Sequence, residues 1–142
     1  MDIKEKIFKI FQKYNIALAY LFGSQKDNAF RFLNGEKVEI NDPLADIDLG
    51  IVFTYPIEKI SERYKLYGEI YNEIEEIFRP FRLDLVFLQE CHSVFQMEAI
   101  KGICIYSSSD EFRDNYEMMI LRKYADFKYE LDKFFEEALE KY

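Results

Sequence analysis

Asp46 and Asp48 stand two residues apart in the stretch LADIDLGIVF, and a third acid, Asp84, lies in RLDLVFL. Both stretches read as buried strands, where Asp is depleted and an unpartnered carboxylate is costly. Side chains alternate along a strand, so Asp46 and Asp48 share one face while Ile47, Leu49 and Ile51 share the other. Asp84, between Leu83 and Leu85, also lies opposite the apolar side. If the two strands are neighbours, three carboxylates converge on one patch. Like charges that close force one carboxyl to keep its proton unless a cation neutralises them. Hard divalent cations with oxygen ligands, Mg²⁺ above all, do this at phosphoryl-transfer sites, where a pair of ions clamps the attacking and leaving oxygens. The competing reading is three solvated residues on the polar face of a sheet, and a lone Asp-x-Asp favours it.

A second short stretch shifts the balance. YLFGSQ places Gly23 and Ser24 directly after an apolar run. Glycine allows close backbone approach, exposed N–H groups cradle phosphate oxygens, and the Ser24 hydroxyl adds a donor. Alone, Gly-Ser is a plain turn. Followed by Asp-x-Asp and a third acid on a later strand, it outlines a site for Mg²⁺ and a nucleoside triphosphate.

The elements that must position these residues follow from periodicity. Residues 2–14 carry a helical stripe at Ile3, Ile7, Ile10, Phe11 and Tyr14. A strand is expected over 16–22 and another over 46–53. Between them, Phe30/Phe32 and Val38/Ile40 alternate around Asn34-Gly35, which predicts an inserted hairpin over about 28–41. A helix over 57–78 stops at Pro80, and a strand follows over 81–88. A short helix over 92–100 and the strand ICIYS precede one long C-terminal helix. Ser108 and Glu111 form a capping box at its start. The expected fold class is α/β (α+β), a small mixed sheet flanked by helices, with residues 1–142 as a single domain.

Composition sets limits on function. Hydrophobic residues make up 49% and charged residues 32%, which is globular composition, not disorder. The net charge of −8 argues against a broad nucleic-acid surface and fits a metal-binding cleft or a basic partner. Beside fourteen Phe, the eleven Tyr exceed what a core alone needs, so some Tyr are expected at an interface or with wet hydroxyls on helices. Cys91 and Cys104 lack metal-ligand spacing and are expected as reduced thiols in a cytoplasmic protein. Neither a membrane span nor a secretory signal is expected. His92 reads as structural, and Met118 and Met119 as core fillers.

LFGS (Leu21 to Ser24), ADIDLGIVF (Ala45 to Phe53) and RLDLVFL (Arg82 to Leu88) together resemble the nucleotidyltransferase superfamily of the polymerase-β type. More narrowly, they resemble the minimal MNT proteins paired with HEPN-domain toxins, the MntA-type antitoxins. The resemblance implies the nucleotidyltransferase fold and transfer of AMP from ATP to a tyrosine of a HEPN-domain toxin, which silences it. It implies that Gly23 and Ser24 hold nucleotide phosphates and that Asp46 and Asp48 bind Mg²⁺. Asp84 would complete the metal site and help activate the acceptor hydroxyl.

One departure from the family pattern stands out. The 21 residues 25–45 separate Ser24 from Asp46, where family members have a much shorter spacer. Gln25 and Lys26 also stand where an Arg is usual. Lys26 would supply a phosphate contact, although a point charge does not replace a bidentate fork. Two other functions therefore stay open: an antitoxin that neutralises its partner by binding alone, and adenylylation of a small aminoglycoside-like molecule. The long C-terminal helix exceeds what so small a sheet can bury, so either its tail docks a partner or it is solvated by the acids of EEALEKY.

Overall fold

A computed structural model describes residues 1–141, and the chain's apolar runs set its layers. IALAYLF becomes β1 (Ile16–Phe22), every residue of which is buried, as a central strand packed on both faces requires. DIDLGIVF becomes β2 (Asp46–Phe53), RLDLVF becomes β3 (Arg82–Phe87) and ICIYS becomes β4 (Ile103–Ser107). They form one sheet in the order β3-β2-β1-β4, with β1 antiparallel to both its neighbours and β2 parallel to β3. A parallel pair needs a crossover, and helix α3 (Arg63–Phe78) supplies it after a short 3-10 turn at Ile57–Lys59. The expected helix over 57–78 thus starts at Arg63.

Each face of the sheet has its own core. On one, α1 (Ile3–Lys13) and α3 bring Ile7, Phe11, Ile70, Ile74 and Phe78 onto Ile47, Leu49, Leu83 and Leu85. On the other, α4 (Ser93–Ile100) and α5 (Asp110–Glu140) cover Leu18, Tyr20, Phe22 and Val52. The second face is polar where helices do not reach. Tyr116 on α5 donates to buried Gln96 on α4 at 2.6 Å, and Gln96 donates to the Cys91 carbonyl at 2.8 Å. This chain leaves no polar atom of Gln96 stranded and fixes α5 against α4. His92 is structural: its Nδ1 accepts from the Val94 N–H and so caps α4.

The hairpin expected over about 28–41 does not form. Lys26–Leu33 is a helix, α2, with Ala29 and Leu33 buried one turn apart on its inner side. Asn34-Gly35 ends that helix. Gly35 adopts φ +88°, its N–H donates to Phe32 and the Glu36 N–H donates to Arg31, a Schellman stop. Val38 and Ile40 lie in an irregular segment leading to β2. The cap of α5 is also one residue later than expected, with Ser109 accepting from the Phe112 N–H. Met118 and Met119 are 51% and 42% exposed, not core fillers, because only Tyr116 and Ile120 of α5 are buried.

Candidate active site

The parallel register of β2 and β3 decides the geometry of the acids. Asp48 pairs with Asp84, and Asp46 pairs with Arg82. Side chains at paired positions project from the same face, so all four lie on the polar end of the face that α4 and α5 leave open. Asp48 and Asp84, as direct register partners, bring their carboxyls side by side. Burial, then the charge and hydrogen bond of Asp84, then the charge of Asp46, push Asp48 up to about 6. Repulsion at Asp48 thus comes mainly from one neighbour, Asp84, with Asp46 the smaller contributor.

Asp46 is held differently. Its Oδ1 lies 3.2 Å from Arg82 Nε, yet that oxygen is buried and no donor is aligned to hydrogen-bond with it. The contact is ionic and leaves an acceptor unsatisfied. Arg82 was within reach of sequence reasoning, because two residues before Asp84 means the same strand face. Its role as the counter-charge of Asp46 becomes visible only with the register.

Gly23 closes the site from the β1 side. Phe22 pairs with Asp48 in the antiparallel register, and the chain then turns at Gly23 with φ +77°. A Cβ at this position would sit 2.1 Å from Asp48 Oδ2, so only glycine lets the turn rest on the carboxylate. Ser24 is exposed, and Lys26 is half-buried at the first position of α2. No side chain caps the α2 N-terminus. The Lys26 N–H donates to the Gly23 carbonyl at 3.4 Å, which leaves the next N–H groups of the first turn and the positive end of the helix dipole close behind the turn, an arrangement suited to an anion.

The donor set is all oxygen, which suits a hard divalent cation. Two observations fit such an ion: the buried Asp46 Oδ1 without a donor, and the Asp48–Asp84 pair that repels itself. As they stand, the acids are not gathered into a closed cage: among the described residues no group of three His, Cys, Asp or Glu side chains is close enough to hold a metal. Asp48 and Asp84 are brought together; Asp46 is turned towards Arg82. A hollow of 750 Å³ beside Ile57, Tyr67 and Phe87 touches none of Asp46, Asp48 and Asp84.

Cys91 and Cys104 stay outside this chemistry, and burial raises the pKa of both thiols. No helix among the described residues is long and apolar enough to cross a membrane.

The family model described as polymerase beta, nucleotidyltransferase, matches residues 5–111. Among solved structures, a chain of the toxin–antitoxin complex MntA–HpeT with two Asp-to-Glu changes superposes with a TM-score of 0.63 at 15% identity, over 96% of this chain and 98% of that one. A chain of a toxin–antitoxin complex with AMP-PNP gives 0.63 at 16% identity over the same shares. A chain from the complex of tri-AMPylated Shewanella oneidensis HEPN toxin with MNT antitoxin gives 0.60 at 16% identity, over 96% of each chain. At these identities the likeness is one of fold. No functionally curated protein matches the chain.

Proposed function

Since this chain belongs to the polymerase beta nucleotidyltransferase family, we propose that it transfers AMP from ATP, with Mg²⁺, to a tyrosine of a HEPN-domain toxin and so acts as its antitoxin. The observation that carries this reading is the register that sets Asp48 beside Asp84, and Asp46 next to them, against the Gly23 turn. The acceptor is inferred from the company of similar folds: one comes from a complex with an AMPylated HEPN toxin, another from a complex with AMP-PNP. A third carries Asp-to-Glu changes at two positions spaced as Asp46 and Asp48 are.

In this reading Asp46, Asp48 and Asp84 hold Mg²⁺. When bound, it neutralises triphosphate charge and eases departure of pyrophosphate. The backbone N–H groups at Gly23 and Ser24 and at the start of α2 hold the phosphates, with Lys26 adding a point charge. Asp84 accepts the phenolic proton as the tyrosine oxygen bonds to the α-phosphorus. The bond from that phosphorus to the β-phosphate bridging oxygen breaks, and pyrophosphate leaves. Arg82 must release Asp46 for the full set of acids to assemble.

The test is intact-mass spectrometry of a HEPN-domain toxin encoded beside this protein, incubated with it, Mg²⁺ and ATP. One or more adenylyl additions are expected, and none with Asp48→Asn. The engagement of Asp46 by Arg82 favours a second reading, neutralisation by binding alone. A stable complex with no added mass would establish that instead.

A further inference from the structure

From the acids the open sheet face leads in three directions. Towards the β3 edge it meets the charged pair Arg82 and Asp46. Along β2 it is blocked at Gly50, where even a Cβ would meet Leu88 at 2.9 Å. Towards β1 it meets Phe22, the register partner of Asp48, and on Phe22 stands Phe95 of α4, ring edge to ring face with centroids 5.6 Å apart. Phe22 is buried, whereas Phe95 is 40% exposed and Val94 beside it 37%. Among the described residues outside α5, the other large apolar side chains this open are Met1, Leu44 and Tyr64. None of those three is tied to the acids through a packed ring. Leu44 precedes Asp46 but is aliphatic and offers no π face.

A nucleotide has one end that wants N–H groups and cations and another that wants a flat apolar surface. The turn at Gly23–Ser24 provides the first, and it follows Phe22 without a break. We propose that Phe95, braced by Phe22, is the stacking platform for the nucleobase of the nucleotide whose phosphates lie at that turn. The inference rests on the nucleotide-binding reading above and adds the base subsite to it. Stacking on a single exposed ring is tolerant of base identity, since every base has a π face. Phe95 therefore contributes affinity for the base while leaving purine selection open.

The test is calorimetric titration of the full chain, in Mg²⁺, with AMP-PNP and separately with inorganic tripolyphosphate. Phe95→Ala is expected to weaken AMP-PNP binding by about 5- to 100-fold, the span that base–aromatic stacking commands. Tripolyphosphate binding stays within about twofold, which also shows that the variant is folded. Phe95→Leu, which keeps apolar packing on Phe22 but lacks a ring, behaves like Phe95→Ala, and Phe95→Trp retains wild-type affinity. Unchanged AMP-PNP affinity in both ring-less variants overturns the platform, as does an equal loss of both ligands. If the wild-type chain binds neither ligand, the nucleotide-binding reading itself fails and takes the platform with it.

Discussion

Asp48 is a carboxylate that its surroundings penalise, and the sign of that penalty can be worked out. In the unfolded chain it ionises near 3.8, and in the folded chain near 6. Between those values the folded state holds more protons at Asp48, so the contribution of this group to stability is most favourable below about pH 4 and is lost as pH rises to about 6. Asp48→Asn removes the penalty. After discounting for its partly open position, a gain of about 1–2 kcal/mol at pH 7 is expected, roughly 2–8 °C in melting midpoint, and only a small fraction of it at pH 4. Thermal melts of both proteins at the two pH values, without divalent cations, check this. Gly23→Ala acts in the opposite direction. It combines a positive φ with a clash against Asp48, and a loss of about 1–3 kcal/mol is expected. Adding Asp48→Ala removes the clash, so the double variant recovers all but the backbone part; a double-mutant cycle reads the coupling. Strand alternation made the shared face of Asp46, Asp48 and Asp84 legible from the chain. It did not reveal that Arg82 takes Asp46, because the pairing register is a long-range property.

At the scale of elements, strands were easier to read than the segment between β1 and β2. IALAYLF and DIDLGIVF have no competing period, and both form where their patterns place them. KDNAFRFL satisfies two periods at once: Phe30 and Phe32 alternate, while Ala29 and Leu33 lie one helical turn apart. Burial of the second pair decides for the helix, and Asn34-Gly35 suits a Schellman stop as well as it suits a hairpin. The long spacer after Ser24 therefore contributes a helix N-terminus to the site. Helix α5 shows the converse, a pattern that is helical throughout but buried only near its start, with Phe127 set edge-on against His92, the cap of α4, further along. Beyond Ile120 no described side chain of α5 is buried, and Phe127, Leu131, Phe134, Phe135 and Leu139 are exposed. Removing residues 128–142, which spares the Phe127 contact with His92, is therefore expected to leave the melting midpoint within about 2 °C, as surface changes usually do. A circular-dichroism melt of the shortened chain checks it.

Taken whole, the molecule divides its labour between the two faces of one sheet. Helices α1 and α3 give the first face an uninterrupted apolar cover. The second is apolar only under α4 and α5, and its uncovered end carries the acids. A net charge of −8 adds to the field against which the acid patch must stay ionised. That patch is assembled from three stretches of chain between residues 23 and 84, joined only by the pairing of β1, β2 and β3. Unfolding scatters them, so a ligand that fits the patch has no counterpart to bind in the open chain. Mass action then makes ligand concentration a lever on folding: each tenfold excess over the dissociation constant adds about 1.4 kcal/mol. A melting curve of this protein consequently works as a titration, with a midpoint that belongs jointly to the chain and to the solution around it.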